Sequence, residues 1–355
     1  MIYLDYQATT PLAPEARAAM MPWLSDDGFA NPHSPHRPGR AAAAAVAVAR
    51  DQVADLFPPG GRVIFTSGAT EAINLAIKGC GRGSIAHSVI EHSAVLDTVA
   101  ALGGGHGLAV GADGLVAEDV ALPGDLGLLA VMQVNNEIGT IQPVEALAVR
   151  AQRQGALMLV DAVQGAGKIA APTGADMIAV SAHKIHGPKG IGALWLRDGL
   201  EIAPLIHGGG QEGGMRSGTL SPALCAGFGA AAALCVKRGE SDGQHVESLW
   251  TTARSILHRW TLNGDADRRW HGNLNIRLDG LDVARLMSDL RDIAFSAGSA
   301  CASGSGRPSH VLSALGLSAA QAKNSIRIGF GRYTDPGEFA GAIERIDAAA
   351  KQQGA

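Results

Sequence analysis

The sequence predicts an α/β protein: a large domain built on a mostly parallel sheet, with a smaller α+β domain beside it. Three observations carry this. Short runs rich in Val, Ile and Leu alternate with helix-length intervals from about Ala16 to Val236, the pattern of strands buried on both faces and joined by crossover helices. Polar residues cluster just after those runs, where such sheets bind ligands. A length of 355 residues, at roughly 150 per domain, suits two domains.

Taken in order, the strand candidates are Arg62 to Thr66, Ser84 to His87, Leu128 to Val134, Ala156 to Val160, Met177 to Val180 and Ile191 to Leu196. Each is four to seven residues of mainly apolar character, and intervals such as Val144 to Gln154 are long enough for a helix. The Ala-rich stretches Ala41 to Ala49 and Leu224 to Val236 read as helices, because Ala is the strongest helix former. Composition then shifts at Lys237-Arg238-Gly239-Glu240-Ser241-Asp242-Gly243, a charged and turn-prone break. Beyond it come an amphipathic helix around Val246 to Trp260 and a strand at Asn273 to Leu278. The expected division is residues 15–240 as the large domain, with 1–14 and 241–355 as the small one.

Composition excludes several classes. With 46% hydrophobic and 17% charged residues the chain is globular, not disordered. Twenty-nine Lys plus Arg against 33 Asp plus Glu, a net charge of -4, give no general attraction for nucleic acid or an anionic membrane. No apolar run reaches the roughly 18 residues of a spanning helix, and the Met1-Ile2-Tyr3-Leu4-Asp5 start has no signal character. Four cysteines (Cys80, Cys225, Cys235, Cys301) without CxxC spacing fit a reducing, cytoplasmic compartment and argue against a disulfide framework or a metal knot.

The polar residues at the predicted strand ends suggest a chemistry. Lys184 follows the strand ending at Val180 and precedes a Gly/Pro turn, a place where a lysine loses solvation and becomes an imine-forming amine. A lone loop lysine, however, is ordinarily a surface residue. Asp161 ends another strand, where a carboxylate can hold the protonated ring nitrogen that pyridoxal phosphate needs as an electron sink. Taken alone, Asp161 reads as a helix N-cap.

The segment Thr66-Ser67-Gly68-Ala69-Thr70-Glu71-Ala72 passes from strand to helix and offers free backbone N–H groups and hydroxyls to a phosphate. It matches neither a dinucleotide fingerprint nor a P-loop, and a capped structural turn is an equal reading. His92 suits ring stacking and proton transfer, or a structural role. Phe295 to Gly306 has almost no bulky side chains around Cys301, which suits a thiol that visits one site and delivers to another, or an inert loop residue. Cys225 and Cys235 lie in an apolar helix and read as core.

Eight segments in order resemble the group I cysteine desulfurases, pyridoxal-phosphate enzymes of aminotransferase class V. They are Tyr3 to Pro11, Thr66 to Glu71, Val134 to Gly139, Val160 to Gln164, Ser181 to Gly192, His207 to Gly210, Met215 to Thr219 and Ser299 to Cys301. The resemblance implies fold type I of the pyridoxal-phosphate enzymes, with the small domain carrying the cysteine loop. It implies that Lys184 bears the cofactor, Asp161 pairs with its ring nitrogen, Gln164 meets its ring hydroxyl and His92 stacks on it. Asn136 would sit beside ring and substrate. Ala69, Thr70, Ser181 and His183 would hold the phosphate, with Thr219 reaching in from the second subunit of a homodimer. Arg327 would take the carboxylate of L-cysteine, and Cys301 would be the nucleophile that passes sulfur to an acceptor protein, an iron–sulfur scaffold or a tRNA-thiolating enzyme. Gly213 stands where many relatives carry arginine. Selenocysteine lysis or another reaction on the same cofactor is the alternative, and a non-catalytic platform is disfavoured by the joint presence of Lys184, Asp161, His92 and Cys301.

Overall fold

The computed structural model describes residues 1–26, 28–298 and 309–354. Its centre is a seven-stranded sheet in the order Gly61–Thr66, Gly192–Arg197, Met177–Ser181, Leu157–Asp161, Leu126–Ala130, Ser84–Ser88 and His106–Leu108. Only Gly192–Arg197 runs against its neighbours; the other paired strands are parallel. Four of the five inner strands, those starting at Met177, Leu157, Leu126 and Gly192, are buried almost throughout, which is why they read as continuous apolar runs.

One face of this sheet packs against the helices Arg37–Ala54 and Pro222–Ile256 through Val46, Ala49 and Phe228. The other packs against Ala69–Cys80 and Ser93–Ala101 through Ile73, Leu75 and Val95. A separate core gathers around the four-stranded antiparallel sheet that includes Asn273–Arg277 and Ser325–Gly329, and it contains Trp250, Ile276, Ile328 and Phe339.

Three local expectations are corrected. Lys237 to Gly243 is not a turn but the middle of the single helix Pro222–Ile256. The helix is anchored in the first core by Phe228 and Cys235 and in the second by Leu249 and Trp250, and this packing overrides the local cost of Gly239 and Gly243, about 1 kcal/mol each. The strand expected over Leu128 to Val134 is Leu126–Ala130, and Val134 instead bridges Ile141 in the following turn. The edge strand His106–Leu108 was not expected, since three residues containing Gly107 give no strand pattern.

At the N-terminus, Ile2–Tyr3 pairs with Ile293–Ala294, and Asp5 bridges Gly329. Residues 7–11 then cross to the carboxyl ends of the large sheet. Thr10 donates from both its N–H and its Oγ1 to the carbonyl of His183, at 2.9 and 3.0 Å, and Ala13 N–H reaches the carbonyl of His186 at 2.9 Å. The segment is a strap over the turn that carries Lys184.

Candidate active site

At the carboxyl ends of Leu157–Asp161 and Met177–Ser181 lies a cavity of about 490 Å³. The strands place Asp161 and Ser181 at its wall, and the single 3-10 turn Ala182–Lys184 brings His183 and Lys184 to it. Lys184 Nζ donates to the carbonyls of Gln7 and Ala8, the latter at 2.8 Å. The carbonyl of Gln7 also accepts from Gln164 Nε2 at 3.0 Å, so the strap fixes two residues of the wall at one oxygen.

Asp161 is buried, with Oδ1 accepting from Val163 N–H at 3.0 Å. Burial pushes its carboxyl up, and the nearby His92 and Lys184 pull it back down. His92 caps the helix Ser93–Ala101: its Nδ1 accepts from Ala94 N–H at 3.1 Å, which leaves Nε2 as the ring's donor. Burial and the cations Lys184, Lys189 and Lys168 lower His183 to about 4, so its ring is neutral, and its Nδ1 lies 3.2 Å from Thr9 Oγ1.

The opposite wall is the start of the helix Ala69–Cys80, with Ser67, Gly68, Ala69 and Thr70 facing the cavity. Glu71 holds this turn, since its Oε2 accepts from Ser67 N–H at 2.7 Å while Arg216 pairs with it at 2.7 Å. A Cβ on Gly68 would have only Ser181 Oγ near it, at 3.9 Å, so the glycine leaves the helix start open. Gly192 is required for a different reason: a Cβ there would lie 2.5 Å from the carbonyl of Val180 and 2.7 Å from Gly68 Cα.

Arg327 closes the rim from the small sheet. Its side chain is 1% exposed; Nη2 pairs with Asp5 Oδ1 at 2.7 Å and Nη1 donates to the carbonyl of Asn136 at 3.0 Å. Nε is buried without a partner among the described residues.

The structure therefore brings Lys184, Asp161, Gln164, Asn136, Ala69, Thr70, Ser181, His183, His92 and Arg327 to one cavity. Thr219 is exposed and does not line the cavity of its own chain. Cys301 lies outside the described residues. Sequence reasoning assigned no role to Gln7, Asp5 and Glu91. Gln7 and Asp5 belong to the N-terminal segment singled out for its resemblance, and only the crossing of that strap explains it. Glu91, wholly buried behind His92, accepts from Ser88 Oγ at 2.5 Å and Met132 N–H at 2.9 Å, and burial pushes it up to about 8.

The donor set fits pyridoxal phosphate. An amine, a buried carboxylate, a neutral imidazole and an open helix start meet in a cavity large enough for the ring, and Gln164 Oε1 is buried without a partner among the described residues, an acceptor that suits a ring hydroxyl.

The aminotransferase class-V family model matches residues 2–339. A protein named cysteine desulfurase IscS from Shewanella woodyi is 42% identical over 98% of this chain and 92% of its own length. One of the same name from Rickettsia bellii is 40% identical over 97% of the chain and 90% of its own length. Among solved structures, a "NIFS-like protein" superposes with a TM-score of 0.90 at 30% identity, covering 99% of both chains. A structure named "SspA in complex with cysteine" gives 0.83 at 35% identity, covering 94% of this chain and all of the other. On the family match and on relatives of this identity over nearly the full length, the chain belongs to the aminotransferase class-V family and, within it, to the cysteine desulfurases.

Proposed function

We propose that this protein converts L-cysteine to L-alanine with pyridoxal phosphate as cofactor and takes the sulfur onto Cys301 as a persulfide. The observation that carries the reading is the convergence of Lys184, Asp161 and Arg327 on one cavity from two strand ends and the small sheet. Pyridoxal phosphate, when bound, supplies the electron sink that labilises bonds at the α-carbon of an amino acid. Lys184 would hold it, and Asp161 would keep a proton on its ring nitrogen. Gln164, Asn136 and His92 would orient the ring, and the amides and hydroxyls of Ala69, Thr70 and Ser181, with the neutral ring of His183, would bind its phosphate.

The guanidinium of Arg327 binds the substrate carboxylate in a planar, charge-assisted contact. Lys184 moves the α-proton of the substrate, and the strap carbonyls of Gln7 and Ala8 set where its amine rests. Cys301 attacks the substrate sulfur as thiolate. An S–S bond forms as the C–S bond breaks, the electron pair stays on the substrate carbon, and that carbon takes a proton to give alanine. The persulfide sulfur then passes to an acceptor protein, an iron–sulfur scaffold or a tRNA-thiolating enzyme.

In this reading the cytoplasmic enzyme is a homodimer in which Thr219 completes the partner's phosphate site; two-fold dimers are the commonest closed assembly, and the exposure of Thr219 supports it. Residues 15–240 form the cofactor domain, and 1–14 with 241–355 the small domain. The test is to supply L-cysteine and measure alanine and sulfide together, with and without reductant, and to map the lysine fixed to the cofactor by borohydride. Alanine formed with persulfide on the protein, and label on Lys184, is expected. Label on Lys189, or sulfide released without any persulfide, overturns the reading.

A further inference from the structure

The turn that carries Lys184 does not close its own hydrogen bonds. The carbonyl of Ala182 accepts from both Ile185 N–H, at 3.0 Å, and Gly187 N–H, at 2.8 Å, but the His183 carbonyl and the His186 N–H, on either side of Lys184, are bonded outside the turn. His186 is buried and sits at φ +68°, in the left-handed region that residues other than glycine hold only where their surroundings over-determine it. Something must pin this residue.

Both groups go to Thr10. Its Oγ1 donates to the His183 carbonyl at 3.0 Å and accepts from His186 N–H at 2.7 Å, while its own N–H adds a second bond to that carbonyl at 2.9 Å. A hydroxyl is donor and acceptor at one atom, so a single side chain serves a carbonyl and an N–H together. Around it, His186 Nδ1 donates to the Pro11 carbonyl at 2.9 Å, Ala13 N–H reaches the His186 carbonyl at 2.9 Å, and the His186 ring meets Tyr333 edge-on at 4.9 Å between centroids. Thr10 itself is buried and does not line the active-site cavity.

The same strap also holds the far end of Lys184, since Nζ donates to the carbonyls of Gln7 and Ala8. Only Thr9 separates Ala8 from Thr10. The main chain around Lys184 and the resting place of its amine are therefore gripped by one short segment, and loosening the grip at Thr10 lets the two shift against each other.

We propose that Thr10 is a positioning residue for Lys184: its hydroxyl locks the turn to the strap and so fixes the amine where it meets the aldehyde of pyridoxal phosphate, without touching cofactor or substrate. The inference rests on the reading of Lys184 as the cofactor-bearing lysine and adds a residue that this reading does not use.

The test uses the full-length chain, freed of cofactor by dialysis and reloaded. Thr10→Val keeps the shape and the Thr10 N–H bond but leaves His186 N–H without its acceptor, whereas Thr10→Ser keeps the hydroxyl. Capture of pyridoxal phosphate, followed by the absorbance of the bound cofactor and fixed on Lys184 by borohydride, should slow by about 10–100-fold in Thr10→Val and stay within about twofold of the parent in Thr10→Ser. Pyridoxine 5'-phosphate carries an alcohol in place of the aldehyde and cannot react with a lysine, so its affinity, measured by calorimetry, should be the same in all three proteins. Capture at the parent rate in Thr10→Val, capture equally slow in Thr10→Ser, or a matching loss of pyridoxine phosphate affinity overturns the inference and leaves the reading of Lys184 standing. Borohydride label away from Lys184 in the parent overturns both. If Thr10→Val does not fold, Thr10→Cys, whose thiol is a weak donor and acceptor, decides by the same two measurements.

Discussion

Arg327 Nη2 and Asp5 Oδ1 meet at 2.7 Å across 322 positions of sequence, and that ion pair ties the N-terminal strap to the small sheet at the rim of the cavity. With Nη1 on the carbonyl of Asn136, the guanidinium is held in one orientation while Nε has no partner among the described residues. A planar fork locked in this way is suited to a carboxylate, and an ammonium is not.

Arg327→Lys should therefore raise KM for L-cysteine by about 10–100-fold, the worth of one to two charge-assisted hydrogen bonds, with cofactor retention unchanged. Steady-state kinetics beside the absorbance of the bound cofactor check it. An unchanged KM would remove Arg327 from substrate binding.

Cysteine reactivity should be sharply unequal. Burial pushes Cys225 up to about 12 and also raises Cys235 and Cys80, so these thiols are poor nucleophiles at neutral pH. Limited alkylation of the native protein at pH 7.5, read by peptide mass spectrometry, should label Cys301 first. Cys301→Ala should keep its cofactor and lose alanine formation, whereas Cys225→Ser should lower the unfolding midpoint more than the turnover. Alanine and sulfide at the parent rate from Cys301→Ala would point to a lyase.

Glu91 should make stability fall with rising pH. Its carboxyl titrates near 4.5 when unfolded and about 8 when folded, the shift coming from burial, opposed by the Ser88 and Met132 hydrogen bonds. The folded state thus holds a proton that the unfolded state has lost between those values. Stability from this group is full below 4.5 and declines up to about 8, by at most about 1.4 kcal/mol per pH unit. Glu91→Gln should gain on the parent in denaturant midpoint as pH rises from 5 to 8, and parallel curves would show that Glu91 is already ionised in the native protein.

Gly192→Ala should damage the cofactor site without touching it. The added Cβ would press on the Val180 carbonyl and on Gly68 Cα, where the flanking strand meets the start of the helix Ala69–Cys80. A loss of about 1–3 kcal/mol in stability and faster loss of pyridoxal phosphate on dialysis are expected. Full retention of both would mean that the turn yields freely.

The sequence by itself determined the parallel sheet and the strand-end residues. Buried strands such as Leu157–Asp161 and Met177–Ser181 are apolar up to their last residue, so their ends are marked by the first polar residues, Asp161 and Ser181, with Lys184 three positions on. What only the tertiary structure decided depends on contacts far apart in the chain. Lys237 to Gly243 has local turn character, yet packing of its two flanks in separate cores holds it helical. Asp5 and Gln7 sit in a segment with no periodicity, and they reach the site only because the strap crosses between the sheets and spends its carbonyls on Lys184 and Gln164. Local propensity and pattern record the burial of an element, but not which distant element completes its hydrogen bonds.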